Sequence, residues 1–168
     1  MSHASPQAAD TWTSAQIQAV VDEHRSLPGA MLPTLHALQD RFGHIPEAAI
    51  PIIAEALRHT RAEVHGIISF YHHFRTQPPG RHVIQVCRAE ACQAVGARAL
   101  EAHVKSALGV DYHQTTADRE FTLEPVYCLG NCACGPSLRV DDEVHGRMDA
   151  AGFDRLTAQL SATVVEVK

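Results

Sequence analysis

The chain has 168 residues and an ordinary apolar content of 45%, which allows one domain of usual size or two small ones. Its 14 Lys and Arg against 19 Asp and Glu give a net charge of −5, and no basic stripe is present, so we expect no nucleic-acid partner. No apolar run approaches membrane-spanning length, and the N-terminus lacks a basic start that leads into an apolar segment. We therefore expect a cytoplasmic protein without membrane insertion.

The chain changes character at Gln77-Pro78-Pro79-Gly80, where two prolines followed by a glycine predict a linker. Residues 1–13 are predicted to be loosely ordered. Residues 14–77 have apolar side chains at helical spacing and predict a bundle of four short helices. Residues 81–168 mix strands with helices, and all five cysteines lie there.

Local signals in the helical half mark where helices begin and end. Thr13 with Gln16, and Thr60 with Glu63, have the spacing of capping boxes. Pro33 can open the second helix, and Gly43 can end it. At the end of the fourth helix we expect an aromatic cluster that belongs to the core, with a docking surface as the alternative: Phe70, Tyr71 and Phe74.

The second half predicts a sheet covered by helices. Its elements, in order, are a strand at 82–86, a helix at about 92–108, a strand at 121–127, a hairpin at 137–140 and 143–147, and a helix capped by Asp149. This order, with room for an unseen strand, suits a thioredoxin-like α/β layer. The predicted fold class is therefore α+β, with a helical bundle before a thioredoxin-like domain.

Four cysteines form two close pairs far apart in the chain, Cys87-x4-Cys92 and Cys128-x3-Cys132. Each pair follows a predicted strand, so the two loops face each other if the strands are neighbours. Four thiolates at one place suit the iron of an iron–sulfur cluster, or zinc. Neither pair is C-x-x-C, which favours iron over zinc and argues against thiol–disulfide exchange. An odd number of cysteines in a reducing compartment also fits disulfides poorly.

Two residues near these pairs leave alternatives open. Cys134 lies two residues after Cys132 and offers a different second pair with Cys128, although x3 is the better match to a tight turn after a strand. Arg88 directly follows Cys87, and could either add positive charge near an anionic cluster or be an exposed loop residue.

The motifs C-R-A-E-A-C-Q at 87–93 and C-L-G-N-C-A-C-G-P at 128–136 resemble the thioredoxin-like [2Fe–2S] subunit family. That family occurs in complex I, NAD-reducing hydrogenases and NAD-dependent formate dehydrogenases. The segments A-E-V-H-G-I-I-S-F-Y-H-H-F at 62–74 and P-G-A-M-L-P-T-L-H-A-L-Q-D at 28–40 resemble helical parts of the same family. The details C-R-A-E-A-C-Q, C-A-C-G-P and F-Y-H-H-F are most similar to gamma subunits of formate dehydrogenases.

The resemblance, which covers residues 14–162, implies one [2Fe–2S] cluster. It implies as ligands the positions Cys87, Cys92, Cys128 and Cys132. It also implies two partners, a flavin- and NADH-binding subunit and a molybdenum- or tungsten-containing subunit that oxidises formate. No catalytic triad and no phosphate-binding glycine loop are present, so we expect an electron-transfer subunit without a substrate site of its own. The alternatives are the equivalent subunit of complex I or of a hydrogenase, and a zinc-stabilised adaptor.

Overall fold

The computed structural model describes residues 12–162, so the first eleven residues of the predicted loose segment 1–13 and the last six residues of the chain lie outside it. The chain divides into two compact units, Met1–Pro78 and Pro79–Lys168. Each unit has a hydrophobic core of its own. No helix in the described range is long and apolar enough to span a membrane.

The first unit contains the four predicted helices. They are α1 (Ser14–His24), α2 (Met31–Phe42), α3 (Ala49–Leu57) and α4 (Arg61–Phe70). Both capping boxes are confirmed: the Gln16 and Glu63 N–H groups donate to the threonine hydroxyls, and their side chains accept from the threonine N–H groups. Helix α2 begins two residues before Pro33, which still lies in the first turn, where the missing N–H removes no intrahelical hydrogen bond. Gly43 ends this helix with φ 76°.

The aromatic prediction at the end of α4 is correct only for Phe74, which is buried. Phe70 is 74% exposed and Tyr71 is 43% exposed. Phe70, the last residue of α4, is two positions after the buried Ile68 and so lies on the opposite face of the helix. Tyr71 follows with an extended backbone, so helical spacing no longer applies to it. Gln39 holds the segment that follows, since its side chain donates to the His73 carbonyl (2.9 Å) and accepts from the Arg75 N–H (2.8 Å).

The second unit is a five-stranded mixed sheet with helices packed on it, as a thioredoxin-like α/β layer requires. Its strands are β1 (His82–Cys87), β2 (Gln114–Thr115), β3 (Phe121–Val126), β4 (Leu138–Val140) and β5 (Glu143–His145), in the order β2-β3-β1-β4-β5. Strands β1 and β3 are parallel, with Cys87 opposite Val126, and the other neighbouring strands are antiparallel. Strand β2 is the short strand that the sequence pattern does not reveal.

Three helices complete this unit, namely α5 (Glu90–Ala94), α6 (Ala97–Leu108) and α7 (Ala150–Ala162). The single helix predicted at 92–108 is wrong at its start, because Gly96 has φ 106° and separates α5 from α6. Leu100 and Val104 of α6 and Phe153 of α7 pack in one core with the sheet. Asp149 caps α7 as predicted, since its Oδ1 accepts from the Gly152 N–H at 2.7 Å.

Candidate metal centre

The parallel pairing of β1 with β3 brings the two cysteine loops to the same edge of the sheet. Cys87 is the last residue of β1 and lies opposite Val126, the last residue of β3. Cys128 follows two residues later. Because the carboxyl ends of parallel neighbours point the same way, both loops leave the sheet side by side. The predicted juxtaposition of the loops is therefore present.

The first loop is short, buried and held by backbone hydrogen bonds. Cys87 and Cys92 are each 2% exposed, and Cys92 lies inside the short helix α5. The Arg88 N–H donates to the Val126 carbonyl at 2.7 Å, and the Gln93 side chain donates to the Arg88 carbonyl at 2.6 Å. These contacts tie the loop to β3 and close it on itself, which fixes both sulfurs.

The second loop is exposed, and its two thiols lie close together. The Sγ atoms of Cys128 and Cys132 are 3.9 Å apart, and both residues are exposed. The Gly130 N–H, in a left-handed turn with φ 73°, donates to Cys128 Sγ at 3.3 Å. Backbone N–H groups that point at sulfur stabilise an anionic sulfur-ligated centre.

Gly135 lets the two loops touch. A Cβ atom on Gly135 would lie 2.9 Å from Val95 Cγ2 and 3.4 Å from Cys92 Sγ. Only a residue without a side chain allows this approach at the present separation. The glycine of the C-A-C-G-P motif is therefore favoured sterically, because a side chain at this position would push the second loop away from the first.

Burial and the neighbouring thiols shift the pKa values of two of the cysteines. Burial raises the pKa of the Cys92 thiol, and the adjacent Cys87 thiol raises it further, whereas a hydrogen bond from the Ser137 backbone lowers it. A hydrogen bond with Cys128 raises the pKa of Cys132, because ionisation of one thiol is unfavourable beside the other. A bound cation reverses this preference, since metal ligation replaces the thiol proton.

The donor set, four cysteine thiols from two loops, fits a two-iron cluster. Within residues 12–162, no group of three or more His, Cys, Asp or Glu side chains is placed so that it could hold a metal ion. Cys128 and Cys132 form one close pair of thiols, and Cys87 and Cys92 lie buried in the other loop. This arrangement suits a [2Fe–2S] cluster, which takes two protein ligands on each iron. All five cysteines are free thiols, so no disulfide competes.

Arg88 is committed to other groups. Its Nε atom lies 3.1 Å from Glu101 Oε2, and its guanidinium stands over the Tyr112 ring at 5.3 Å from the centroid. Lys105 contacts the same carboxylate and the same ring. The Arg88 side chain is 37% exposed and shares the Glu101 carboxylate with Lys105, so neither alternative for Arg88 is settled and both stay predictions.

Two residues that the sequence patterns do not single out lie within the site. Ser137, directly before β4, is 1% exposed and accepts a hydrogen bond from the Cys87 N–H through its carbonyl (3.1 Å). Asn131 donates from its side chain to the Ser137 hydroxyl at 3.2 Å. The sequence gives little indication that Ser137 belongs to the site, because a serine between a proline and a strand is common. Cys134 is half-buried, and its carbonyl accepts from the Arg147 N–H at 2.6 Å.

Comparison with known proteins identifies the family of this chain. The model of the thioredoxin-like [2Fe-2S] ferredoxin family matches residues 17–161. An NADH-quinone oxidoreductase subunit of Pseudomonas aeruginosa is 39% identical over 127 residues, which are 76% of each chain. The corresponding NADH-quinone oxidoreductase protein of Rhizobium meliloti is 35% identical over 147 residues, 88% of each chain.

Two further relatives are hydrogenase proteins. NADP-reducing hydrogenase subunit HndA of Solidesulfovibrio fructosivorans is 31% identical over 143 residues, 83% of this chain and 84% of that one. A solved structure of an air-oxidized NAD+-reducing [NiFe]-hydrogenase matches with a TM-score of 0.69 and 26% identity, over 85% of this chain and 24% of that chain. The chain therefore belongs to the thioredoxin-like [2Fe–2S] ferredoxin family, as an electron-transfer protein of oxidoreductases with one [2Fe–2S] cluster.

Proposed function

We propose that this chain is the gamma subunit of a soluble, cytoplasmic NAD-dependent formate dehydrogenase and that Cys87, Cys92, Cys128 and Cys132 ligate its cluster. One observation carries the ligand assignment, namely the parallel pairing that sets the two cysteine loops side by side at one edge of the sheet. The choice of formate rests on the motifs C-R-A-E-A-C-Q, C-A-C-G-P and F-Y-H-H-F, which resemble such gamma subunits.

The cluster, when bound, supplies one-electron exchange with the flavin of an NADH-binding subunit. The chain's own residues bind and orient it. Cys87 and Cys92 lie in the interior, where water is excluded, and the first loop is rigidly bonded to the sheet. Cys128 and Cys132 are exposed, so the flavin-bearing partner approaches from their side, where the distance for electron transfer is shortest. Tyr127, 67% exposed beside Cys128, offers contact area to that partner.

The ligand assignment is tested by single serine variants of the full chain. Replacing any of the four proposed ligands should lower iron and sulfide content and abolish the reduced-state electron paramagnetic resonance signal. Cys134→Ser is the matched control, because it removes a thiol from the same loop and should leave the cluster in place. Cluster loss in Cys134→Ser together with a normal cluster in Cys132→Ser would refute the assignment.

The choice of complex is tested by isolating the intact assembly and measuring formate-dependent NAD+ reduction. We expect a flavin subunit and a molybdenum- or tungsten-containing subunit to co-purify. Hydrogen- or quinone-linked activity without formate oxidation would instead assign the chain to the kinds of complex in which its relatives occur, the NADH-quinone oxidoreductases or the pyridine-nucleotide-reducing hydrogenases.

A further inference from the structure

Ser137 occupies a buried position between the two cysteine loops. It directly precedes β4, the strand that pairs with β1 on the side away from β3, and its residue exposure is 1%. A hydroxyl at such a depth must find hydrogen-bond partners inside the protein, because an unpaired one lowers stability. The hydrogen-bond partners of Ser137 therefore indicate its structural role.

The backbone of Ser137 faces the first loop. Its carbonyl accepts from the Cys87 N–H at 3.1 Å, and its N–H is directed to the Cys92 sulfur. Any residue at this position other than proline would supply these two contacts. They place Ser137 against both proposed ligands of the first loop, and they do not depend on the hydroxyl.

The hydroxyl of Ser137 faces the second loop. It accepts from Asn131 Nδ2 at 3.2 Å and donates to the Cys134 carbonyl at 3.4 Å. Asn131 and Cys134 stand on either side of Cys132, at the two ends of the short 3-10 turn Cys132–Cys134. The hydroxyl thus joins both ends of the turn that carries Cys132 to a residue that is bonded to the first loop.

We propose that Ser137 is a positioning residue for the cluster, whose hydroxyl holds the Cys132 turn in register with Cys87 and Cys92. This inference rests on the ligand set proposed above. The second loop is exposed, and backbone bonds from Cys134 to Asn131 and from Arg147 to Cys134 hold the turn itself. The Ser137 hydroxyl adds the link between this turn and the residue that is bonded to the first loop. The hydroxyl acts through the geometry of the ligands, because its two partners are Asn131 and the Cys134 carbonyl.

A double-mutant cycle on the full chain tests this role. Asn131→Ala removes its hydrogen bond to the Ser137 hydroxyl and should accelerate loss of the cluster to an iron chelator roughly fivefold. Ser137→Ala removes that bond and also the one to the Cys134 carbonyl, so its loss should be at least as fast. The double variant should lose the cluster no faster than Ser137→Ala alone, because that substitution already removes the bond to Asn131. Ser106→Ala, on the exposed face of α6, is the control and should decay like the unaltered chain. The g-values of the reduced cluster should move in Ser137→Ala and not in the control.

The outcomes separate this proposal from the ligand set. Asn131→Ala alters a partly exposed loop residue, so it keeps the test informative if Ser137→Ala folds poorly. Unchanged decay and g-values in Ser137→Ala, or effects of the two substitutions that simply add, would overturn the positioning role while Cys132→Ser still lost its cluster. A full cluster in Cys132→Ser would instead overturn the ligand set itself.

Discussion

Gly146 follows β5 and lies against the second cysteine loop, which makes Gly146→Ala a direct probe of how tightly that loop is packed. A Cβ atom at this position would stand 2.6 Å from Asn131 Nδ2, 2.8 Å from the Cys134 carbonyl oxygen and 3.0 Å from Cys134 Cβ. The Asn131 amide is the end of a side chain and can turn aside. The Cys134 carbonyl is backbone and cannot move without moving the loop.

The magnitude follows from these distances. To reach an ordinary contact of 3.4 Å, the Cys134 carbonyl must retreat by about 0.6 Å. Overpacking of this kind costs about 1–3 kcal/mol. The same shift weakens the hydrogen bond that the carbonyl accepts from the Arg147 N–H, now 2.6 Å, which adds about 1 kcal/mol. We expect the free energy of unfolding to fall by about 2–4 kcal/mol.

The assay combines thermal unfolding of the chain with iron and sulfide analysis. A loss of about 3 kcal/mol should lower Tm by about 6–12 °C in a chain of this size, and the displaced loop should hold its cluster poorly. Gly66→Ala is the control: no atom lies within 4 Å of a Cβ there, and alanine should stabilise α4 by up to about 1 kcal/mol. A Gly146→Ala variant with an unchanged Tm and a full cluster would refute the packing argument.

Three further substitutions probe other parts of the fold. Gln39→Leu removes the two hydrogen bonds to the segment around Arg75 and should lower the free energy of unfolding in urea by about 2 kcal/mol; no change would show that they are dispensable. Burial, and then the Glu101 carboxylate, raise the pKa of Tyr112 in the folded chain above its value of about 10 in the unfolded chain. The contribution of the protonated phenol to the free energy of unfolding is therefore complete below about pH 10 and is lost as the pH rises above it. Tyr112→Phe should flatten that alkaline fall, and an identical pH profile would contradict the reasoning. Thr60→Ala breaks the capping box and should lose about 1 kcal/mol, measured by Tm.

Features that depend on a few neighbouring residues could be read from the sequence. Both capping boxes, the ends of α2 and α6 at Gly43 and Gly109, and the Asp149 cap are local and are present in the structure. Local patterns did not predict the left-handed backbone conformation of Gly96, which splits one predicted helix into two. The exposure of Phe70 was missed because its aromatic character was given more weight than its position, two residues from Ile68 and on the opposite face of α4.

The cysteine spacing narrowed the cofactor to an iron–sulfur cluster or zinc, because four thiolates suit both, and the family to which the sequence belongs decided for one [2Fe–2S] cluster. The ligand roles of the individual cysteines stay a prediction. Only the tertiary structure decided that β1 and β3 are parallel neighbours, that Gly135 admits the second loop beside Cys92, and that Ser137 lies beneath both loops. These relations join residues about 40 or more positions apart, and they depend on strand pairing and close packing, which no local spacing encodes.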